Sequence, residues 1–295
     1  MSRLQLFALF ASITFLVNCA SASLYPHGTW LKGDTVQTTS LDDLLNQVSP
    51  GSIVLVSEFH NHGPHHANQI EVINKLKQKG FTVSVGLEFF NYTDQKKIED
   101  FLAGKMSESD FLKAIKWGKD NFANWRTQVR STLGTNGSTL GLNAPRTLSR
   151  AISRNGLDSL TPEQQAILPP NFRIGSKNYR ERFENIMGGG HSLPKDAMDR
   201  YFTSQSLWDD TMAWIAREYI VQNPTHVLVI CVGDFHAAFG GGLPDRLKAR
   251  GQRDITVLSQ INTRNMSEAD QRSAINPHNN YGPRADGIFI STESL

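Results

Sequence analysis

Short apolar runs alternate along this chain with longer segments in which apolar residues recur at helical spacing. Four of the runs predict buried strands, at 52–56, 82–87, 139–142 and 225–232. Two weaker runs predict further strands, at 255–258 and 287–290. The helical spacing predicts helices at 64–79, 94–103, 107–133, 146–154, 197–222 and 243–250. This alternation is typical of βαβ units, so we expect an α/β fold with a mostly parallel sheet flanked by helices.

The segment 157–195 interrupts this alternation. Prolines and a run of glycines are spread through it, at Pro162, Pro169, Pro170, Gly188-Gly189-Gly190 and Pro194. Because proline and glycine break regular elements, we expect an inserted, partly helical lid there. With that insertion, a single domain is predicted over 23–295. The polar stretch 262–285 shows no periodicity, and no element is predicted in it.

The first residues differ in composition from the rest of the chain. Arg3 is followed by an apolar run over 6–17, which is too short to span a bilayer comfortably. Residues 1–22 are therefore predicted to be a lipoprotein-type signal peptide. Cleavage before Cys19 would leave a cysteine for acylation, whereas cleavage after Ala22 would follow an A-x-A site. We expect lipidation at Cys19, export to the cell envelope, and a location at the outer membrane or in the periplasm.

The composition narrows the functional classes. Of 295 residues, 39% are hydrophobic and 20% are charged, as in an ordinary globular protein with a full core. The formal net charge of +2 provides no basic field to attract nucleic acid, so we exclude nucleic acid as a partner. The chain has two cysteines, and Cys231 lies in a strand-like run, so no disulfide with Cys19 is expected.

Ionisable and amide side chains follow the predicted strands at the points where those strands end. They are Glu58 and His60, Glu88, Asn143 and His236. Open α/β sheets bind their ligands outside the carboxyl ends of their strands, so these residues are expected to line one cleft. A single histidine at such a point is usually an ordinary loop residue. Four strand ends with polar groups, however, favour a functional site.

Several short motifs extend this pattern. In chain order they are Ser57-Glu58-Phe59-His60 with Gln69, Gly86-Leu87-Glu88, Leu142-Asn143-Ala144-Pro145, Gln205 with Trp208-Asp209 and Met212-Ala213, and Gly233-Asp234-Phe235-His236. Together they resemble the motifs of the ChaN-like haem-binding lipoprotein family of the Tiki superfamily, over about 52–250. Two positions depart from that pattern. Ser57 replaces the first glycine of a paired G-x-x-H motif, and Trp125 stands where family members often carry a tyrosine.

The resemblance implies haem binding for haem or iron uptake, in a homodimer that holds haem at a shared surface with a tyrosine as iron ligand. Haem also needs an apolar slot and cations near its propionates. The predicted lid and its surroundings contain such groups: Tyr179, His191 and Tyr201, with Arg173, Lys177, Arg180 and Arg182. We assign Tyr179 as the axial ligand, with His191 as the alternative. Tyr179 also fits an inward-packing position on a helix, and both interpretations remain open.

An enzymatic function is the alternative, because other branches of the Tiki superfamily are described as metal-dependent proteases or as esterases. In that case His60 and His236 would hold a divalent metal such as zinc or manganese. Glu58 and Glu88 would serve as metal ligand and catalytic general base. Supporting hydrogen bonds would come from Asn143, Gln205 and Asp209. The paired carboxylates favour this chemistry, whereas the order of the motifs and the leader favour haem transport.

Overall fold

The fold is built on one sheet of eight strands. A computed structural model describes residues 22–188 and 193–293. Its strands are β1 (Trp30–Lys32), β2 (Thr38–Thr39), β3 (Ile53–Glu58), β4 (Thr82–Asn91), β5 (Thr139–Asn143), β6 (His226–Gly233), β7 (Ile255–Asn262) and β8 (Gly287–Ser291). They lie in the order β2-β1-β8-β7-β3-β6-β4-β5. All pairs from β8 to β5 are parallel, and β1 runs antiparallel to both of its neighbours. The predicted α/β fold with a mostly parallel sheet is confirmed.

Helices flank this sheet. The α-helices of the described residues are α1 (Leu41–Leu44), α2 (Gly63–Gln78), α3 (Gln95–Leu102), α4 (Glu108–Ala114), α5 (Arg126–Arg130), α6 (Arg146–Asn155), α7 (Pro162–Gln165), α8 (Lys177–Gly188), α9 (Lys195–Gln222), α10 (Asp234–Ala237), α11 (Leu243–Ala249) and α12 (Glu268–Ile275). Short 3-10 turns lie at Tyr92–Asp94, Phe122–Asn124, Leu157–Ser159 and Ala238–Gly240. In the described part of the chain, no helix is both long and apolar enough to cross a membrane.

The central strands divide their side chains between two hydrophobic layers. In β3, Val54 and Val56 pack into the layer that contains the apolar face of α2. Ile53 and Leu55 point the other way and pack into the layer that contains the apolar face of α9. This period of two buries both faces, as expected for a parallel sheet covered by helices. The most apolar predicted strand, β6, lies between β3 and β4, so its central position is confirmed.

The helix predicted over 107–133 is wrong. The structure divides this segment into α4, the 3-10 turn Phe122–Asn124, and α5. Lys116 has a positive φ of 53°, which an α-helix does not accept. The Asn121 side chain then accepts a hydrogen bond from the Ala123 backbone at 3.1 Å and starts a new turn. Local turn chemistry therefore overrides the apolar spacing.

Several short elements were not predicted. β1, β2 and α1 precede the first predicted strand, and each is too short to show a periodic pattern. α12 lies in the polar stretch 262–285 and buries only Gln271 and Ile275, so its apolar face is very narrow. β7 also extends to Asn262, beyond the predicted end of the strand.

The segment predicted as a lid packs against the body of the protein wherever it is described. Leu160, Ile167 and Phe172 join a cluster with apolar residues of α6. On α8, Tyr179 and Phe183 pack against apolar residues of α9. Residues 1–21 and 189–192, with the predicted sites Cys19 and His191, lie outside the described residues.

Candidate functional site

Neighbouring strands bring the predicted residues together at the carboxyl edge of the sheet. Glu58 ends β3 and lies opposite Gly233 at the end of β6. β4 pairs with the other side of β6, and Glu88 accepts a hydrogen bond from the Gly233 backbone at 2.5 Å. A methyl group on Gly233 would lie 3.5 Å from His60 Nε2 and 3.4 Å from Glu88 Oε2. His60 and Glu88 therefore both lie beside the Gly233 backbone.

Glu58 is a buried carboxylate with four donor groups around it. His60 Nδ1 lies 2.9 Å from Oε1, and Trp125 Nε1 donates to the same oxygen at 3.3 Å. His66 Nε2 lies 3.0 Å from Oε2, and Gln69 Nε2 donates to that oxygen at 3.1 Å. Burial raises the pKa of Glu58, but the contacts with the histidines outweigh burial and lower the pKa to about 2. Glu58 therefore stays ionised and orients the His60 ring.

His60 remains accessible to solvent and to a ligand, because its side chain is 63% exposed. Since Nδ1 faces Glu58, Nε2 is the ring atom left for proton transfer, and it lies near Gly233. The hydrogen bond to Glu58 raises the pKa of His60, although partial burial acts in the opposite direction. The arrangement is that of a general base oriented by a carboxylate.

His236, by contrast, is enclosed between two carboxylates. Its Nδ1 lies 2.7 Å from Asp209 Oδ1, and its Nε2 lies 3.4 Å from Glu88 Oε1. Burial lowers the pKa of His236, but the facing carboxylates of Asp209 and Glu88 outweigh burial and raise it to about 10. His236 is therefore an imidazolium at neutral pH, and its charge stabilises the ionised form of Glu88.

The residues predicted to support the histidines take different positions. Asp209 contacts His236 and also accepts a hydrogen bond from Tyr179 Oη at 2.8 Å. Gln205 Nε2 donates to the same Tyr179 oxygen at 2.9 Å and lies 3.1 Å from His236 Nδ1. Asn143 instead accepts a hydrogen bond from the backbone of the next residue at 2.8 Å. Asp209 and Gln205 thus lie where the prediction placed them, whereas Asn143 lies at the edge without orienting a described histidine.

The environment of Tyr179 does not fit the predicted role of axial haem ligand. Its side chain is 1% exposed, and its ring stacks on Phe235 with the centroids 5.1 Å apart. Burial and the neighbouring Asp209 raise the pKa of Tyr179 well above its ordinary value, which disfavours the phenolate that binds ferric iron. The alternative interpretation, a tyrosine that packs inward, describes Tyr179 correctly. His191 lies outside the described residues, so its role stays a prediction.

The strand ends do not assemble the predicted divalent-metal site. Within 22–188 and 193–293, no group of three or more His, Cys, Asp or Glu side chains has an arrangement that could hold a metal ion. The donor atoms are already engaged, since both Glu58 oxygens accept from neighbours and both His236 nitrogens face carboxylates. A zinc ion needs such atoms free and about 2.0–2.2 Å away. A metal centre with His60 and His236 as ligands is not supported.

A cavity of about 370 Å³, which we call the strand-end cavity, opens above these residues. Glu58, His60, Glu88 and Asn143 line it together with Arg146. Four aromatic side chains form part of its wall: Phe89, Trp117, Trp125 and Trp208. The cavity therefore combines an oriented base, an ionised carboxylate and an aromatic surface.

A second opening, which we call the lateral groove, was not predicted from the sequence. It has a volume of about 590 Å³ and lies between α6, α8 and α9. The groove is lined by Arg146, Ser149, Arg150, Ser153, Phe183, Met187, Tyr201, Ser204, Gln205 and Trp208. Arg146 and Trp208 also line the strand-end cavity, so the two openings adjoin.

The family model described as haem-binding uptake, Tiki superfamily, ChaN, matches residues 44–247. That range includes the lining residues of both openings. The chain belongs to the ChaN family.

Solved structures are similar to this ChaN-family protein to different degrees. ChaN of Campylobacter jejuni, whose structure describes cofacial haem binding, gives a TM-score of 0.64 at 18% identity, over 90% of this chain and 97% of that chain. The type III effector HopBA1 gives 0.47 at 12% identity, over 82% and 88% of the two chains. A mutant of the erythromycin esterase EreC gives 0.43 at 13% identity, over 80% and 78%. No curated protein matches the chain.

The two departures from the ChaN motifs are explained by their contacts. Ser57 Oγ donates to Asp234 Oδ1 at 2.7 Å and accepts from the Gln260 backbone at 3.0 Å, so this serine ties β3 to β7. Trp125 places its indole N–H on Glu58. In this member of the family, the tryptophan therefore helps to keep Glu58 ionised.

Proposed function

We propose that this ChaN-family protein binds haem in the lateral groove, as part of haem or iron uptake. The observation that carries the proposal is a half-exposed tyrosine, Tyr201, at an apolar opening beside two arginines. A flat macrocycle needs an apolar surface, an axial donor and cations for its propionates, and the lateral groove offers all of them. The family description and the haem-binding ChaN of the same fold support this assignment.

Tyr201 is the axial ligand we assign among the described residues. It lies on α9 and its side chain is 38% exposed, so a ligand can reach the phenolic oxygen. A tyrosine oxygen is an established protein ligand of haem iron. Met187, which is also exposed, lines the same groove and would give the macrocycle a polarizable apolar contact. Tyr201 thus meets the requirement of access that the buried Tyr179 does not meet.

Arg146 and Arg150 are the cations we assign to the haem propionates. They are four residues apart on α6, so they share one face of the helix, and both line the groove. A guanidinium can bind a carboxylate through two parallel hydrogen bonds. Arg180 and Arg182 fit this role less well. Arg180 pairs with Glu184 at 2.6 Å, and the buried Arg182 donates to a backbone carbonyl at 2.6 Å.

A homodimer would complete this site. Met187 and Tyr201 line the groove and are exposed, as is Ile186, the neighbour of Met187 on α8. Adjacent exposed apolar side chains of this size are typical of interaction sites. The groove covers one side of a bound macrocycle, and we propose that a second copy of the chain, which carries its own haem, covers the other. The cofacial haem arrangement described for Campylobacter jejuni ChaN supports this partner.

Titration of the purified chain with ferric haem tests the haem proposal. We expect a Soret band that saturates at about one haem per chain, and a sedimentation mass that doubles when haem is bound. A titration without saturation, in which the absorbance follows that of free haem, would show that the groove does not bind haem.

We further propose that the protein is exported and anchored through Cys19, as an outer-membrane lipoprotein. The supporting features are the apolar leader and the cysteine that follows it. We expect the mature protein to begin at Cys19 and to carry acyl chains, because stable anchoring needs more than one chain. Mass spectrometry of the mature N-terminus measures this directly. An unmodified terminus at Ser23 would instead indicate the A-x-A site and a periplasmic protein.

Hydrolysis at the strand-end cavity is the second candidate function. The observation that favours it is the oriented pair of Glu58 and His60, with the exposed Nε2 of His60 free for a proton. His60 would take a proton from a water molecule as that water attacks an ester or amide carbonyl, and would return the proton to the alcohol or amine that leaves as the C–O or C–N bond breaks. Glu58, which stays ionised, would stabilise the resulting imidazolium. This chemistry uses residues of the chain alone and needs no ligand set for a divalent metal.

Substitution of His60 by alanine tests this second function on 4-nitrophenyl esters. We expect kcat/KM to fall by about 10²–10⁴-fold, which is the usual contribution of a general base. The wild-type rate should rise as pH increases through the pKa of His60, which Glu58 holds above 6.5, because a base must be neutral. His278→Ala, at an exposed histidine, is the matched control. Equal rates in the two variants, or inactivation by a chelator, would contradict this mechanism.

A further inference from the structure

A third opening, which we call the arginine cavity, lies apart from the two sites described above. It encloses about 290 Å³ between α9, α11 and the loop that precedes α8, and shares no lining residue with the strand-end cavity or the lateral groove. Charged side chains dominate its wall: Arg173, Arg217, Arg246 and Arg250, with Asp210 and Glu218. Trp214 adds an aromatic surface.

One pair of side chains forms a fixed and neutral part of this wall. Arg250 Nε and Nη2 donate to the two oxygens of the buried Asp210 at 2.8 Å and 2.7 Å. Arg250 Nη2 also donates to the Pro170 carbonyl at 3.1 Å. Both Asp210 oxygens accept hydrogen bonds from Arg250. Asp210 therefore does not neutralise the charge of the other arginines in the wall.

Arg246 is more than nine-tenths buried, with 9% of its side chain exposed. Its Nη2 pairs with Asp245 at 2.5 Å, and its Nη1 lies 3.3 Å from the Ile174 carbonyl. Its Nε has no hydrogen-bond acceptor among the described residues. A buried N–H without an acceptor is unfavourable, and it is unusual in a native structure. An anionic ligand in the cavity would supply acceptor oxygens at this wall.

Arg173 and Arg217 provide the available charge. Neither forms an ion pair with a described residue, whereas Arg246 and Arg250 both do. Glu218 is the remaining carboxylate of the lining, and it is exposed to solvent. The cavity stays net positive after Asp210, Asp245 and Glu218 are set against the four arginines. A site of this charge favours an anion with several oxygens.

We propose that the arginine cavity binds a phosphate group, carried by a small phosphorylated compound or by a phospholipid headgroup. Guanidinium groups match phosphate oxygens through pairs of parallel hydrogen bonds. The volume holds a phosphate together with a small organic group, for which Trp214 offers a flat apolar surface. The site uses none of the residues assigned to haem binding or to hydrolysis, so it is independent of both.

Calorimetric titration of the mature protein with inorganic phosphate, at low ionic strength, is the first arm of the test. Arg173→Gln and Arg217→Gln should each weaken phosphate binding by about tenfold, the usual order for a charged hydrogen-bonded contact. Arg253→Gln removes the same charge from an exposed position outside the cavity and should change the affinity by less than about twofold. Circular dichroism of each variant shows whether the fold is retained.

Sedimentation with phosphatidylcholine vesicles, with and without phosphatidic acid, is the second arm. Binding of inorganic phosphate without a preference for phosphatidic acid would assign the site to a small phosphorylated compound. A preference for phosphatidic acid that Arg217→Gln abolishes and Arg253→Gln retains would assign it to a lipid headgroup. Absence of binding in both arms, or an equal loss in Arg253→Gln, would overturn the proposal.

Discussion

Tyr201→Phe should abolish the tyrosinate-type spectrum of the ferric haem complex and weaken haem binding by at least about tenfold, which corresponds to about 1.4 kcal/mol. The substitution removes one oxygen from an exposed side chain, so the ring still covers the lateral groove and the fold is unaffected. The loss therefore reports on the iron–oxygen bond alone. Absorption spectroscopy during haem titration measures the ligand type and the affinity in one experiment.

Tyr179→Phe is the matched control, because it removes the same atom from a buried tyrosine. We expect an unchanged haem spectrum and a decrease of about 1–3 kcal/mol in the free energy of unfolding, since Asp209 and Gln205 lose a shared partner. The opposite result, a lost spectrum in Tyr179→Phe and a normal one in Tyr201→Phe, would restore the assignment made from the sequence. An unchanged spectrum in both variants would leave His191 as the remaining candidate for the axial ligand.

The sequence predicted the central sheet well, because its strands are long apolar runs bounded by turn residues. β6 and β3 are buried on both faces, so their sequences are almost continuously apolar. The strands β1 and β2, at one edge of the sheet, could not be predicted in this way. β1 and β2 have three and two residues, and β1 is held by pairing with β8, which is distant in sequence, while β2 pairs with β1. Tertiary pairing of this kind leaves no local pattern.

The same distinction applies to the site. The convergence of Glu58, His60 and Glu88 was predictable, because strand ends of a parallel sheet meet at one edge. The lateral groove was not, because it depends on how α8 packs against α9. An apolar position at helical spacing does not reveal whether a tyrosine points into the core, as Tyr179 does, or towards a groove, as Tyr201 does. Fractional exposure separates the two, and it is a property of the packed molecule.

The second large effect is expected at Asp209, whose carboxylate is the partner of His236 in a fully buried pair. Asp209→Asn keeps the shape and the acceptor for Tyr179 but removes the charge that faces the imidazolium at 2.7 Å. Breaking one side of a buried ion pair typically costs about 3–5 kcal/mol when the other charge is left unpaired, and the lower end of that range applies here because Glu88 still faces the ring at 3.4 Å. We therefore expect a decrease of that order in the free energy of unfolding at pH 6, measured by urea denaturation.

The pH dependence distinguishes this ion pair from simple loss of packing. The folded protein raises the pKa of His236 to about 10, above its ordinary value of 6.5. The stability that His236 contributes is therefore fully present below pH 6.5 and is lost as pH rises through 10. In Asp209→Asn that decline between pH 6.5 and 10 should be much smaller, because only Glu88 still faces the ring.

Asp196→Asn is the control on the same helix. Asp196 forms an exposed ion pair with Arg200, so its loss should leave the free energy of unfolding and its pH profile nearly unchanged. A pH profile in Asp209→Asn that parallels the wild type would show that His236 is not held as a cation by this carboxylate.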